Sequence, residues 1–274
     1  MSKDKKSPEV QEKPAEFVEA LAKGLAILET FDSTHSDMTL SEVARRVDIT
    51  PAAARRSLIT LMELGYVGQT GKRFHLRPKI LGLGAAFFNS AQINELLQPE
   101  VRNIVELFGD ASSVGVLDGP DVIYVAHYSV QRARRATAIV GARYPAHATS
   151  LGQVLLAGLP PEAFEDYLAR LTPVAFTSRT VVDKDALRDR VAQVRRQGYS
   201  TTVDELDYGI TALAVPIRNR AGRHVAAVNS SGYSGLVAAD QLVRERLGEL
   251  SAAATRLSAQ FDRYPMLESL LSQT

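Results

Sequence analysis

Between Thr39 and Gly65 the sequence carries two helix starts and a helix stop in close succession. Thr39-Leu-Ser-Glu42 has the form of a capping box, in which Thr39 and Glu42 satisfy the first orphan N–H groups of a helix. That helix runs to about Val47, and Asp48-Ile49 make a turn. Thr50 is a good N-cap, and Pro51 follows at the first helical position, where its missing N–H loses no bond. The second helix runs from Pro51 to Leu64, and Gly65 ends it as a left-handed cap. A chain punctuated in this way must cross two helices at a tight turn.

The two helices have inward faces that match. Leu40, Val43 and Ala44 line one, and Ala54, Leu58 and Leu61 line the other. The far side of the second helix carries Ala52, Arg56 and Thr60, flanked by Ala53, Arg55 and Ser57. Such a face fits a DNA major groove: Arg donates bidentately to guanine, Ser and Thr reach base or phosphate, and Ala permits close approach. Arg45 and Arg46 end the supporting helix, where cations also suit the dipole. Upstream, Ala20 to Phe31 is a helix with Leu21, Leu25, Leu28 and Phe31 on one face, and Asp32 to Met38 is a loop. Downstream, Tyr66 to Thr70 and Phe74 to Leu76 flank Gly71-Lys72-Arg73, which predicts a β-hairpin. A hairpin in that place is a wing, with Lys72 and Arg73 reaching phosphate or minor groove. The DNA-binding set is therefore Arg45, Thr50, Ala52, Ala53, Arg55, Arg56, Ser57, Thr60, Lys72 and Arg73, and the partner is double-stranded operator DNA.

Charge agrees with this placement. From Leu40 to Lys79 eight Arg and Lys stand against three acids, an excess of five in a chain of net +1. The positive charge is thus concentrated where DNA contact is expected. The 274 residues contain no cysteine, which excludes a disulfide framework, a thiolate zinc site, an iron–sulfur cluster and a cysteine nucleophile. No metal and no cofactor are expected. The charged start, MSKDKKSPEVQEKP, is no signal peptide. The longest apolar run, Ile80 to Phe88, is far too short to span a bilayer. A soluble cytoplasmic protein without a membrane partner is the expectation. No internal repeat is present.

The remainder reads as a second kind of structure. Leu96 to Phe108 is an amphipathic helix with Leu97, Val101, Ile104, Val105 and Phe108 inward. Ser112 to Asp118 and Val122 to His127 form a hairpin around Asp118-Gly-Pro-Asp121, and Ala136 to Val140 is a third strand. Ser150 to Ala157, Pro161 to Leu171 and Asp183 to Gln197 are helical. Strands follow at Ser200 to Val203, Ala212 to Ile217 and Val225 to Ser230, then a last helix from Ala239 to Phe261. This order fits an antiparallel sheet with helices, an α+β arrangement. Three segments combine exposed backbone with small polar side chains: Tyr144 to Gln153, Val203 to Gly209, and Asn229-Ser-Ser-Gly232. The first opens a helix, whose N-terminus suits a carboxylate. Caps, turns and strand ends account for the same residues without a ligand. His127 and His147 read as structural histidines rather than metal ligands. Arg132, Arg134 and Arg135 form a charge run, one member of which is a candidate partner for an effector carboxylate.

The sequence resembles the IclR-type bacterial transcription regulators, and within them the subgroup controlling catabolism of aromatic acids such as protocatechuate and 4-hydroxybenzoate. The resemblance covers Phe17 to Phe261. Its marks are Arg56 to Val67, Tyr144 to Pro160 (YPAHATSLGQVLLAGLP), Phe176 to Thr180, Asp204 to Gly222 and Val225 to Gly232. It implies a winged helix-turn-helix, a linker helix and a profilin- or GAF-like antiparallel-sheet effector domain. It further implies dimers through the DNA-binding domains and dimers of dimers through the effector domains. The effector, a small organic and aromatic acid, would lie between Thr149, Ser150, Leu151 and Gly152 and the strands carrying Ala212, Asn229 and Ser231. Asp204 and Glu205, with the residues just before them, would close one side. Ala52 and Ala53 depart from the family's usual Ser and Thr, and Gln153 stands where a basic residue is usual.

The expected organisation is a disordered tail (1–16), a winged helix-turn-helix domain (17–77), a linker helix (78–94), an effector-binding domain (95–264) and a C-terminal tail (265–274). The rival function is a small hydrolase or transferase with a helical accessory domain. G-x-S-x-G, H-E-x-x-H and a phosphate-binding glycine loop are all lacking, and Ser150 near His147 does not make a triad. A protein-binding winged helix is a third reading.

Overall fold

The structure, a computed structural model, describes residues 14–32, 34–91, 93–130 and 138–264, and the single positions 267, 269 and 271. The chain divides into two compact units, Met1–Ala86 and Phe87–Thr274. Residues 1–13 of the expected N-terminal tail and the Arg132, Arg134 and Arg135 run lie outside the described residues.

The first unit contains helices α1 (Glu19–Glu29), α2 (Leu40–Arg46) and α3 (Pro51–Glu63) and strands β1 (Asp37–Thr39), β2 (Val67–Thr70) and β3 (Arg73–Leu76). The capping box forms: Thr39 N–H donates to Glu42 Oε2 at 2.7 Å, and Glu42 N–H returns to Thr39 Oγ1 at 3.4 Å. Thr50 Oγ1 accepts the Ala53 N–H, and Gly65 takes a positive φ of 81° at the end of α3. Val43, Ala44, Ala54, Leu58 and Leu61 are buried between the helices. Two expectations are corrected. The segment before Thr39 is not all loop, because Asp37–Thr39 joins the hairpin as a third antiparallel strand against β3. The buried face of α1 is carried by Ile27, with Leu28 and Phe31 beside it, whereas Leu21 and Leu25 are exposed. Packing on α3 rotates the helix away from the leucine stripe that its spacing suggested.

A short 3₁₀ turn at Pro78–Ile80 leads into helix α4 (Leu81–Ala91). Leu81 and Leu83 are exposed, while Phe87 and Phe88 pack on the core of the second unit.

The second unit is built on an antiparallel sheet. Among the described residues its order is β6-β5-β4-β9-β8-β7. The strands are β4 (Ala111–Asp118), β5 (Asp121–Ser129), β6 (Arg143–Pro145), β7 (Ser200–Val203), β8 (Ile210–Arg218) and β9 (His224–Tyr233). Helix α5 (Ile93–Leu96) precedes α6 (Gln98–Phe108). That helix and α10 (Ala239–Arg263) cover one sheet face, over Leu213, Val215, Ile217, Val114, Ala226 and Val228. Helices α7 (Ser150–Gly158), α8 (Pro161–Arg170) and α9 (Lys184–Gln197) bury the other core, which takes in Ala214 and Ala227. The period-2 alternation of the strands thus feeds two cores. The third strand falls at Arg143–Pro145 rather than at Ala136 to Val140; Ala138 to Val140 form no strand, and 136–137 lie outside the described residues. Leu267 and Leu271, expected in a tail, are buried in the α6/α10 core.

Candidate functional site

Two places in the molecule have working surfaces. The first is the outer face of α3. Ala52, Arg55, Arg56 and Thr60 are exposed, with Ala53 and Ser57 half-buried beside them. Thr60 Oγ1 donates back to the Arg56 carbonyl at 3.1 Å, which holds the hydroxyl close to the helix. Thr50 is exposed and caps the start of α3 through its hydroxyl. Arg45 is exposed at the end of α2, whereas Arg46 is held by Asp32, Thr30 and His35. Lys72 is exposed at the hairpin tip, where Gly71 adopts φ of 60°. Arg73 behaves differently from the expectation. Its Nε donates to Asp37 Oδ1 at 2.8 Å and its Nη1 lies 3.6 Å from Glu42. The added strand β1 sets Thr39 opposite Arg73 and brings Asp37, two residues along the strand, within reach, so Arg73 braces the wing.

The second place is a cavity of about 390 Å³ in the sheet face that α7 leaves uncovered. That volume suits a small organic ligand. Its position follows from residue size. Gly115 makes room for Val122 and Leu151 over the sheet, since a Cβ there would sit 2.5 Å from the Val122 side chain and 3.3 Å from that of Leu151. Gly152 lets α7 lie against the preceding 3₁₀ turn (Ala146–Ala148): a Cβ would come within 2.1 Å of the Ala146 carbonyl oxygen. Beyond the helix start the same sheet face continues with Ser113, Ala212, Asn229 and Ser231, which line the cavity.

Of the predicted effector residues, Thr149, Ser150, Glu205, Ala212, Asn229 and Ser231 line this space. Leu151, Gly152 and Asp204 do not. Leu151 is a core residue, and Gly152 is the close-packing point of α7. Asp204, at φ of 56°, spends its carboxylate inside its own loop, accepting from Gly209 N–H at 2.8 Å and Ser234 Oγ at 2.7 Å.

Several cavity residues carry no spacing signal in the sequence. Tyr124, His127 and Tyr144 line the wall with Thr202, Leu206 and Ile210. The pairing of β4 with β5 slips between Val114 and Gly115, so that Ala126 opposes Val114 while Tyr124 opposes Gly115. This β-bulge at Val125 changes the parity of β5. Val125 and Ala126 both enter the α6/α10 core, and His127 joins Tyr124 on the cavity face. A strict two-residue alternation would have placed Tyr124 and His127 on opposite faces. His127 is therefore not merely a core histidine.

The wall chemistry is directional. Thr149 Oγ1 accepts the Gly152 N–H at 3.1 Å, and the start of α7 brings its positive dipole end to Thr149 and Ser150 in the wall. Ser113 N–H donates to Asn229 Oδ1 at 2.8 Å, which fixes the amide so that its NH₂ is the group left for a ligand. Behind Ser231, buried Arg246 donates to Ser230 Oγ at 3.0 Å and to the Ser231 carbonyl at 3.1 Å. Glu205 is buried and stands at one side. Gln153 Nε2 donates to one of its oxygens at 3.0 Å and Arg190 Nη1 to the other at 3.1 Å. Burial pushes the Glu205 carboxyl above the ordinary carboxylate range, opposed by Arg190. The charge missing at Gln153 is thus supplied from α9, by a residue that the sequence pattern does not single out. Ser200 Oγ donates to Gln153 Oε1 at 2.7 Å, completing the buried chain.

His147 offers nothing to Ser150: its Nε2 lies 3.3 Å from the Val174 carbonyl. Among the described residues no group of three or more His, Asp or Glu is placed to hold a metal ion. No described helix is long and apolar enough to cross a membrane.

Comparison with known proteins covers both regions. Residues 20–71 match the IclR helix-turn-helix domain, and residues 85–259 match the bacterial transcriptional regulator IclR C-terminal domain. The Pca regulon regulatory protein of Pseudomonas putida is 35% identical over 246 residues, spanning 89% of this chain and 84% of that protein. A crystal structure of a transcriptional regulator from Rhodococcus sp. RHA1 is 39% identical and covers 89% of this chain and 98% of its own, with a TM-score of 0.73. An IclR homologue from Microbacterium hydrocarbonoxydans, crystallised with 4-hydroxybenzoate, is 25% identical with a TM-score of 0.69, over 88% of this chain and 98% of its own.

Proposed function

Because the chain belongs to the IclR family of bacterial transcriptional regulators, we propose that its DNA affinity is set by a small aromatic acid held in the α7 cavity. The protein is a ligand-responsive DNA-binding regulator. One observation carries the finer reading: the cavity combines a helix N-terminus, a fixed amide and aromatic walls, the set that an aromatic carboxylate requires. The 4-hydroxybenzoate bound by the Microbacterium relative supports the same ligand class. On DNA, Arg56, Arg55, Ser57, Thr60, Ala52 and Ala53 face the major groove, with Thr50 at the helix start. Arg45 and Lys72 contact phosphate, and Arg73 acts by holding the wing.

The effector acts by shifting a population. It must bind one arrangement of paired DNA-binding units better than the other, which changes the half-site spacing that they fit. This requires a dimer, and dimers of dimers follow from pairing of effector domains. The site is the cytoplasmic chromosome, no membrane takes part, and no bond of the ligand is made or broken. His147, the histidine nearest Ser150 in the sequence, turns to the Val174 carbonyl instead.

A salt-titrated binding assay on DNA upstream of the neighbouring genes, with and without a panel of aromatic acids, tests this reading. Specific binding that shifts at least tenfold with one of the acids is the expected result. Affinity equal to that for random DNA, or turnover of a bound acid, contradicts it.

A further inference from the structure

His127 stands in the cavity wall with half of its ring chemistry used. Its Nδ1 lies 2.9 Å from Ser113 Oγ. Its Nε2 is buried and has no hydrogen-bond partner in the protein. Buried polar atoms are nearly always paired, so one left over in the lining of a cavity points to a partner that arrives with the ligand. The ring is held in place on three sides. The bulge at Val125 turns it toward the cavity, Tyr124 stacks on it with ring centroids 6.2 Å apart, and Ser113 takes the other nitrogen.

The chemistry of the missing partner follows from the pair behind it. Burial holds His127 below the ordinary histidine range, so the ring is neutral, with one donor nitrogen and one acceptor. Ser113 also hydrogen-bonds the Tyr124 phenol. When Ser113 donates to Nδ1, Nε2 carries the proton and donates to the ligand. When Nδ1 donates to Ser113, Nε2 accepts from the ligand. A hydroxyl suits both states, because it donates and accepts; a plain aromatic C–H suits neither. A second carboxylate on the ligand is disfavoured, since Glu205 and Asp207 already line the same cavity.

We infer that His127 Nε2, oriented by Ser113 and Tyr124, is the contact for a ring hydroxyl of the effector and sets the preference for acids that carry one. This rests on the aromatic-acid reading above and adds a specificity-determining residue to it.

The test is calorimetric titration of the full chain with benzoate, 3-hydroxybenzoate, 4-hydroxybenzoate and 3,4-dihydroxybenzoate. Wild type is compared with His127→Leu and His127→Gln. At least one hydroxylated acid is expected to bind wild type about ten- to a hundredfold tighter than benzoate, because benzoate leaves Nε2 unpaired. In His127→Leu that advantage, read as the ratio to benzoate within the same variant, falls to about threefold or less, and in His127→Gln part of it returns through the amide. Should His127→Leu fail to fold, Ser113→Ala serves: it removes the group that sets the tautomer, and the hydroxyl advantage, read as the ratio to benzoate within the same variant, drops severalfold. Benzoate binding as tightly as every hydroxylated acid overturns the inference and leaves the aromatic-acid reading standing. So does a hydroxyl advantage that survives His127→Leu. Failure of all four acids to bind wild type overturns both.

Discussion

The first unit carries its working residues outside its own core, and the second carries them inside. In the first, Arg55, Arg56 and Thr60 are what remains outside once Ala54, Leu58 and Leu61 are buried. In the second, Ser113, His127 and Asn229 lie where the core is left unfilled beyond the start of α7. The first surface comes from one helix and a neighbouring hairpin. The second is assembled from strands β4 to β9 and the start of α7, with residues 113 and 229 far apart in the chain. A surface made by one helix tolerates change in its neighbours; a cavity made by many segments depends on each of them. The difference sets what a substitution does. On the exposed face it removes a contact to DNA and little else, and in the cavity wall it alters folding and ligand binding together.

The sharpest break in that contrast is Gly152→Ala. The new Cβ would meet the Ala146 carbonyl at 2.1 Å, and backbone cannot yield cheaply. A loss of about 3 kcal/mol or more is expected, confined to the effector unit. Calorimetry would show its transition lowered while the DNA-binding unit melts as before; an unchanged scan contradicts the close-packing account.

Arg190→Leu comes next. It leaves the buried Glu205 carboxylate with Gln153 alone, and because Arg190 is itself one-third exposed a loss of about 2 kcal/mol near neutral pH is expected. The sign with pH is fixed. The folded pKa of Glu205 is raised, so its contribution favours the fold at acid pH and is lost as pH rises. Without Arg190 the carboxyl rises further. The deficit is therefore full above the variant's higher pKa and closes as pH falls from that value to the wild-type one. Denaturant melts at pH 5 and pH 8 check this, and an equal gap at both would count against it.

On the exposed side, Arg56→Ala should weaken specific DNA binding by about 1–3 kcal/mol and relax sequence preference, with ligand affinity and melting untouched. Lys72→Ala is the smallest change. It should lower the slope of log affinity against log salt by about 1, equally on specific and random DNA. A base-specific loss from Lys72→Ala, or a uniform one from Arg56→Ala, would exchange their roles.

How far each unit could be read from the sequence follows from the same contrast. Caps, turn residues and helical spacing are local, so Thr39, Thr50, Gly65 and the exposed face of α3 could be placed directly. The features that local signals miss there are long-range ones: β1 pairs with β3 from far along the chain, which ties the exposed Arg73 to Asp37, and the packing of α1 on α3 buries Ile27 instead of Leu21 and Leu25. In the effector unit the α+β class and most elements followed from alternation and hairpin signals. The cavity did not. The bulge that brings His127 beside Tyr124 has no marker in the sequence, and Arg190 looks like any solvated helix residue until Glu205 is found beneath it. Leu151, Gly152 and Asp204 belong to the motif that builds the site without lining it.

The central claim is that the cavity controls the DNA-binding unit without being part of it. Ala212→Phe would fill the cavity from β8 while leaving α3 as it is. Operator affinity of this variant should be measured with and without the aromatic acid that shifts the wild type. The account predicts wild-type affinity in the absence of ligand and no shift in its presence. A full ligand response from the filled cavity, or loss of DNA binding without any ligand, would contradict it.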